Sequence, residues 1–406
     1  MSSANRAPWR NSDVWAISLS AFFADLGYQA VLAGFPLYLV LTLHQPVWEY
    51  GLASALSYGG GALFSLVGGR VGDRVGHRKL ALAGNAVIPL LSLSALWANP
   101  VWAIGLLTGG WWARNLRSPS RRVMLVEAVP DEQYRSAAFG FLHALDVGGG
   151  ALAGGYVLIA LAAHVPFRWI FLATVVPLAI STLSLSRAAV GGSPPDRSPA
   201  PIPELPVEPP PPGARPLLAA AALYGFTFYS VGFPVLTAAQ GSGRLLAGIG
   251  AFLVLQAASG ATGYLLGGRL GTGPAEQFAR LGLLGYLGAA VGAAVVAVDY
   301  GGHLGLALLL LGVAVIGFAL GIIETLEPTA MSVLRSGTQA GRGFGALSAA
   351  RGVGTFVGNL VMGLLYGVGA SLAYGYAAAV AALAGILVLT ALPALRSWQR
   401  DREPRR

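Results

Sequence analysis

Residues 68–79 read Gly-Gly-Arg-Val-Gly-Asp-Arg-Val-Gly-His-Arg-Lys, and the first five return almost unchanged at residues 267–271 as Gly-Gly-Arg-Leu-Gly. Two further phrases also occur twice and in the same order. They are Gly-Phe-Pro at 34–36 and 232–234, and Phe-Gly at 139–140 and 344–345. The sequence therefore predicts two copies of one structural unit.

The composition indicates a lipid bilayer as the surroundings of both copies. Of 406 residues, 55% are apolar and 11% are charged, and the mean hydropathy is +0.65. Such a chain has too little polar surface to cover a water-soluble globule. Its 57 glycines suit helices that pack closely through small residues. We expect an all-α membrane protein.

Twelve apolar runs are long enough to cross the hydrocarbon layer, six on each side of a proline-rich segment. They cover roughly residues 14–43, 49–71, 80–98, 101–125, 136–163, 167–187, 216–239, 245–270, 278–298, 303–328, 343–368 and 371–395. The sequence thus predicts twelve transmembrane helices in two pseudo-symmetric six-helix bundles. We expect the amino-terminal bundle at 1–190, an extended linker at 191–215, and the carboxyl-terminal bundle with a short basic tail at 216–406, because proline disfavours helix in the linker.

The distribution of basic residues predicts the orientation. The chain has a formal charge of +9, and its arginines and lysines lie in alternate loops and at the termini. The opposite loops contain only Arg168 and Arg244. The positive-inside rule then places both termini and the linker in the cytoplasm, and we expect a bacterial or archaeal cytoplasmic (inner) membrane. Because the charges sit in short loops, they indicate a lipid bilayer as partner and not nucleic acid.

The loop at 69–79 closely resembles the G-x-L-x-D-R-x-G-R-[KR] loop of the major facilitator superfamily. The segment 129–135 is similar to that family's P-x-E-x-R run, and 150–155 is similar to the G-P-x-x-G-G signature of its proton-coupled drug antiporters, with Ala151 in place of the proline. The resemblance covers essentially the whole chain. It implies the twelve-helix fold, alternating access between two halves, and a central cavity lined by spans one, four, seven and ten.

The resemblance also implies a role for the loop charges Asp73, Arg74 and Arg78. In the family this loop latches the two halves in the outward-facing state. The second copy has Thr272 where the first has Asp73, and Arg114 lies deeper in span four than the family's arginine, so no proton-gating role is transferred to it.

Ionisable residues inside the spans are the first candidate site. A charge in the hydrocarbon layer costs ~2.5–3.5 kcal/mol on insertion scales and so requires a protein-lined or watery environment. Asp25 lies near the middle of span one, with Gln29 on the same face, and the repeat aligns Gln29 with Thr227 of span seven. Asp25 is predicted either to couple transport to protons or substrate, or to pair with an arginine that holds the bundle together.

Span four carries the second candidate set. Arg114, Arg117 and Arg121 form one helical stripe, of which the last two are interpreted as interfacial anchors. Arg114 is expected to meet Asp25 or an anionic substrate group. Trp111 and Asn115, which follow Thr108 at helical spacing together with Trp112, suit an amphipathic or cationic ligand, or pack against lipid and neighbouring helices.

The remaining candidates are charges in spans five, ten and eleven. The repeat places Arg351 opposite Asp146, which predicts a charge pair between the bundles; the alternative is separate local pairings, such as Asp146 with His143. Glu324 and Glu327, one turn apart in span ten, are predicted to share a proton or cation, or else to pair with Arg335 or Arg342.

The functional hypothesis is a secondary transporter that moves a small molecule by proton-coupled efflux. Uptake or facilitated diffusion of a solute or metal cation is the alternative, and a non-transporting membrane receptor is a third possibility. The sequence has no G-x-x-x-x-G-K-[ST] loop and no H-E-x-x-H helix. We therefore expect no enzyme activity, no cofactor and no resident metal, and we expect a monomer.

Overall fold

A computed structural model of the chain describes residues 10–190, 214–267, 274–299, 305–334 and 340–402. Most of the linker predicted at 191–215, the repeated phrase at 268–271 and Arg335 lie outside the described residues, as does the side chain of Arg342. The α-helices are α1 (Ser12–Pro36), α2 (Val47–Ser54), α3 (Gly61–Val75), α4 (His77–Val87), α5 (Pro100–Ala128), α6 (Glu132–Ala162), α7 (Phe167–Ala173), α8 (Val175–Ser186), α9 (Ala214–Gly225), α10 (Gly232–Ser242), α11 (Leu245–Gly267), α12 (Pro274–Arg280), α13 (Leu287–Asp299), α14 (Gly305–Leu334), α15 (Ala340–Val368) and α16 (Ala370–Arg402).

Short π- or 3₁₀-helical turns extend or join several of these helices. They are Leu37–Thr42 after α1, Ala55–Gly60 between α2 and α3, Ile88–Leu93 after α4, and Leu281–Tyr286 between α12 and α13. With these joins, and with α7–α8 and α9–α10 counted as one segment each, the described residues form twelve helical segments, in agreement with the predicted helical membrane fold. Eight of them, counted over the described residues, are long and apolar enough to span a membrane.

For two of the segments that do not meet this criterion, the structure gives the physical reason. Helix α5 carries the arginine stripe, and α9 and α10 are separated by an irregular turn at 226–231. The sequence predicted one continuous span at 216–239, and that prediction was wrong in detail. Asn359 accepts a hydrogen bond from the Ser230 amide and donates to the Phe228 carbonyl, so the backbone groups freed by the break are satisfied.

The helices pack into two units, each around a core of its own. The first unit comprises Met1–Gln45 and Leu56–Ala200, and the second comprises Pro46–Ala55 and Pro201–Arg406. The first has an apolar core between α1, α4, α5, α6 and α8, and the second has one between α9, α12, α13, α14 and α16.

Helix α2 belongs to the second unit although it lies early in the sequence. It packs on α15, and a Cβ atom at Gly51 would overlap the α15 backbone at Asn359 and Gly363. The hydroxyl of Tyr50 is 2.5 Å from that of Ser230. Small residues on both helices therefore permit a contact in which the backbones nearly touch.

Two local features set the positions of the site residues in the first unit. Asn99 caps α5 by accepting hydrogen bonds from the amides of Val101 and Trp102, which fixes the start of the helix that carries the arginines. Gly76 has φ 93° and forms the turn between α3 and α4, a backbone conformation that favours glycine. The tight turn predicted in the loop at 69–79 is thus present.

Candidate functional site

Asp25 lies in the middle of α1 and is almost fully buried. Its side chain is on the same helical face as Tyr28, three residues later, and the Tyr28 hydroxyl donates a hydrogen bond of 2.5 Å to Asp25 Oδ1. Gln29 is half-buried one turn beyond Asp25. The predicted polar face of span one is therefore directed into protein.

Arg114 of α5 is a further neighbour of the Asp25 carboxyl group. Its guanidinium carbon lies 4.9 Å from the ring centre of Trp111 and 5.4 Å from that of Tyr28. It also interacts electrostatically with Asp25, the first of the two partners predicted for it. The aromatic rings that suit a cationic ligand are thus occupied in this structure by the protein's own cation.

The other predicted polar residues of α5 make local contacts. Asn115 donates to the Trp111 carbonyl at 2.9 Å, and Trp112 donates through its indole nitrogen to the Leu56 carbonyl at 2.7 Å while stacking on Phe64. These bonds orient the aromatic side of α5 toward α3. They leave Trp111 as the ring that faces the Asp25 region.

Asp146 of α6 is joined to the same cluster. Its Oδ2 lies 3.5 Å from Nη2 of Arg121, and its carboxyl group interacts with that of Asp25. His143 is exposed. The local partner proposed for Asp146 from the sequence was His143, and the salt bridge to Arg121 replaces it because α5 presents a buried guanidinium at the same depth.

Arg117 and Arg121 are not the interfacial anchors expected from the sequence. Arg117 is fully buried, and its Nη1 donates to Asn85 Oδ1 at 2.5 Å, whereas its Nε and Nη2 meet no acceptor among the described residues. Arg121 is 6% exposed. The arginine stripe of α5 faces other helices of its own unit. The spacing of the arginines shows that they share one side of α5, but the packing of neighbouring helices determines whether that side faces lipid or protein.

The second unit contains its own buried charge cluster. Glu327 of α14 is fully buried and forms a 2.6 Å salt bridge with Arg351 of α15. Its other oxygen accepts a hydrogen bond of 2.9 Å from the Tyr286 hydroxyl. The guanidinium group of Arg351 lies 5.2 Å from the ring centre of Phe228 and 5.9 Å from that of Tyr224.

Glu324 and Glu327 occupy different environments despite lying one turn apart. Glu324 is exposed and Glu327 is fully buried. The carboxylate of Glu327 is directed to Arg351, whereas the sequence proposed Glu324, Arg335 or Arg342 as its partner. The two glutamates therefore do not form a symmetrical carboxylate pair.

The two units repeat one arrangement with opposite signs. In the first, the fourth span supplies a cation, Arg121, to an anion on the fifth span, Asp146. In the second, the fourth span supplies an anion, Glu327, to a cation on the fifth span, Arg351. Both Asp146 and Arg351 thus have a partner inside their own unit, which is the local pairing that the sequence left open.

Thr227 lies beside a small cavity of the second unit. Its hydroxyl donates to the Ala377 carbonyl at 2.9 Å. The cavity has a volume of about 50 Å³ and is lined mainly by apolar and aromatic side chains, among them Tyr224, Thr227, Phe228, Leu255, Ile316 and Leu320. Such a lining can accept an apolar group.

The loop charges predicted as a latch have partners near the ends of α3 and α4. Asp73 Oδ1 lies 3.3 Å from Nε2 of His77, and Arg78 donates to the Ser186 carbonyl at 2.7 Å. Arg74 is exposed. Arg78 therefore ties the loop to the end of α8 within the first unit.

Several contributing residues were not identified from the sequence. Asn85, Tyr224 and Tyr286 are polar or aromatic residues within apolar runs, a weak signal because such residues are common in packed helices. Their roles follow from partners that are distant in the chain, such as Tyr286 and Glu327, 41 residues apart.

Buried charges within apolar helices are typical of membrane proteins that move solutes or ions, and the comparisons with known proteins agree with this class. The family model of the Major Facilitator Superfamily matches residues 17–335, and the chain belongs to this family. No curated protein sequence matches the chain.

Solved transporters share the fold over nearly their whole length. The nucleoside transporter NupG is 12% identical with a TM-score of 0.74, and the match covers 94% of this chain and 99% of that one. A POT family transporter in complex with a thioalcohol conjugated peptide is 12% identical with a TM-score of 0.75, over 94% and 96% of the two chains. A bacterial homologue of the human lysosomal transporter Spinster is 14% identical with a TM-score of 0.63, over 97% and 98%. At these identities the likeness shows the fold alone.

Proposed function

We propose that this protein is a proton-coupled secondary transporter that exports a small molecule by alternating access. The observation that carries the proposal is the buried carboxyl group of Asp25, which lies among Tyr28, Trp111 and Arg114. A carboxyl group in an aromatic, protein-lined site can hold either a proton or the counter-charge of a cation. Competition between the two for one carboxylate is the physical basis of exchange.

Arg114 supports this mechanism because its own cationic group lies in the aromatic surroundings that a substrate cation would need. Its guanidinium group lies over both rings and interacts with Asp25. A substrate with a cationic and an apolar part would take the same surroundings, with Asn115 and Gln29 at the edge of the site. When a proton binds at Asp25, the attraction for the substrate cation is lost and the substrate leaves.

The charges of the second unit are proposed as a supporting element. Glu327 and Arg351 form a closed pair next to the cavity that Thr227 lines, and Glu324 is exposed one turn away. We propose that Arg351 exchanges partners during transport, with Asp146 as the alternative partner, and that Asp73, Arg74 and Arg78 act as the latch of the cycle. The proposal includes a monomer in the cytoplasmic (inner) membrane with both termini in the cytoplasm.

The test is transport by purified protein in proteoliposomes with an imposed pH gradient. The readout is exchange of a candidate cationic substrate, first identified as a compound that raises the melting temperature of the purified protein. We expect the gradient to accelerate transport at least tenfold, and Asp25→Asn to abolish both exchange of the cation and the response to the gradient, because its neutral side chain mimics the protonated site. The matched control is Glu127→Gln, since Glu127 is exposed on α5. Gradient-independent exchange by the wild type would exclude obligatory proton coupling.

A second candidate is proton-coupled uptake of an anionic substrate, and the charge count of the first unit favours it. Among the described side chains of this cluster, three arginines of α5 face two aspartates, Asp25 and Asp146. Proton binding makes the cluster more positive and would strengthen the binding of an anion. The two candidate functions predict opposite effects of pH on substrate affinity. In the first, acidification weakens the binding of a cationic substrate; in the second, it strengthens the binding of an anionic substrate. Measuring ligand affinity against pH separates them.

A further inference from the structure

Helices α1 and α6 approach each other closely at the level of Asp25 and Asp146. A Cβ atom at Gly149 would overlap the carbonyl oxygen of Phe22, and it would also crowd the amide of Leu26. The backbones nearly touch there, one turn along the chain from Asp25 and from Asp146. The carboxyl groups of Asp25 and Asp146 interact with each other at this contact between the helices.

In each of the two carboxyl groups, one oxygen has a partner and the other has none among the described residues. Asp25 Oδ1 accepts from Tyr28, and Asp146 Oδ2 lies 3.5 Å from Arg121. The remaining oxygens, Asp25 Oδ2 and Asp146 Oδ1, are buried and meet no donor among the described residues. Two ionised carboxylates that interact in a buried site repel each other, and one proton shared between them removes that repulsion.

We propose that Asp25 and Asp146 share one proton and together form the proton-binding site of the transporter. The proposal rests on the proposed function of the same site, and it makes Asp146 a part of the site that binds the proton. With the proton in place, the pair carries one negative charge. Without it, the two charges are matched by Arg114 at Asp25 and by Arg121 at Asp146.

The groups around the pair account for both protonation states. Tyr28 is on the same helix as Asp25, and His143, one turn before Asp146, is exposed. Helix α5 contributes the cations that act on the pair, namely Arg114, Arg117, Arg121 and Arg122. Helix α8 has no ionisable residue, and Arg168 of α7 lies over Trp169.

Infrared spectroscopy of the purified full-length protein tests the proposal. At neutral pH we expect the wild type to show the carbonyl stretch of one protonated carboxylic acid in a buried site. Asp146→Asn and Asp25→Asn should each abolish that band, because each removes one of the two carboxyl groups between which the proton is held. Glu127→Gln is the control and should leave the band unchanged.

The outcomes separate this inference from the proposed function. If the band persists in Asp146→Asn, the proton belongs to Asp25 alone and the shared site is refuted, even if the wild type shows gradient-driven transport. If both variants lose the band and the wild type ignores a pH gradient, the shared proton stands and the coupling is refuted. Absence of the band in the wild type also refutes the pair. Only a change at Asp146 distinguishes a shared proton from a proton on Asp25 alone. Asp146→Ser is therefore measured beside Asp146→Asn, and it decides the question if Asp146→Asn has a folding defect, detected as a lowered melting temperature.

Discussion

The buried pair of Glu327 and Arg351 gives a prediction with a defined magnitude. Glu327 is fully buried, whereas the side chain of Arg351 is 23% exposed, so removing the arginine leaves a carboxylate without its counter-charge in protein. Breaking one partner of a buried ion pair costs about 3–5 kcal/mol. We therefore expect Arg351→Leu to lower the free energy of unfolding by that amount.

The chain offers a matched control and a rescue for this experiment. Arg280 and Glu276 form an i, i+4 pair 3.9 Å apart, with side chains that are 41% and 66% exposed. Arg280→Leu should change stability by only about 0.5 kcal/mol, because exposed pairs contribute little. The double variant Arg351→Leu with Glu327→Met should come within about 2 kcal/mol of the wild type, since apolar replacements of a buried pair are often neutral and Tyr286 loses one hydrogen bond.

The assay is reversible denaturation of the purified protein in a mixture of lipid and detergent, with the free energy of unfolding taken from the transition. The ordering expected is Arg351→Leu least stable, the double variant intermediate, and Arg280→Leu close to the wild type. Equal effects of Arg351→Leu and Arg280→Leu would refute the reasoning. A double variant as unstable as the sum of its two single changes would also refute it, because no coupling energy would then exist.

Two further predictions concern packing and an isolated charge in the first unit. Gly68→Ala should lower the melting temperature, because the added Cβ atom would overlap the Leu116 carbonyl group. Gly69→Ala should be neutral or slightly stabilising, because a Cβ atom there would have nothing within 4 Å. Equal effects of the two variants in thermal melting would contradict this. Arg117→Met should leave stability unchanged or raise it, because it removes a buried guanidinium that makes a single hydrogen bond among the described residues. Asn85→Ala should cost about 1–3 kcal/mol, because it removes that bond and the two that Asn85 donates to Ser181 and Thr182. Denaturation curves that show the reverse order would disprove the interpretation.

The fold could be predicted from the sequence because it depends on features that are local or periodic. The length of the apolar runs, the repeated phrases and the loop at 69–79 are sufficient for a membrane fold of two related halves. The break in span seven was missed because its stability comes from Asn359, about 130 residues later in the chain. A single residue in a distant helix leaves no mark on the hydropathy of 216–239.

The sequence was sufficient to predict which charged residues belong to the candidate site, but only some of the pairs that they form. A charged residue within an apolar run is easily recognised in the sequence, and this is how Asp25, Asp146, Glu327 and Arg351 were identified as site candidates. Its partner is decided by which helices pack together and at which depth, as in the contact between α1 and α6. Helical spacing correctly placed the arginines of α5 on one stripe, but it could not tell whether that stripe faces lipid or protein.

The assignment of α2 to the second unit limits how the molecule can be divided. Cutting the polypeptide within 191–215 would leave the carboxyl-terminal fragment without Val47–Ser54, the segment whose Tyr50 and Gly51 complete its packing. Complementary fragments would have to be coexpressed to restore that contact. The two units are therefore similar in sequence pattern, yet the second is completed by a helix that comes before most of the first in the chain.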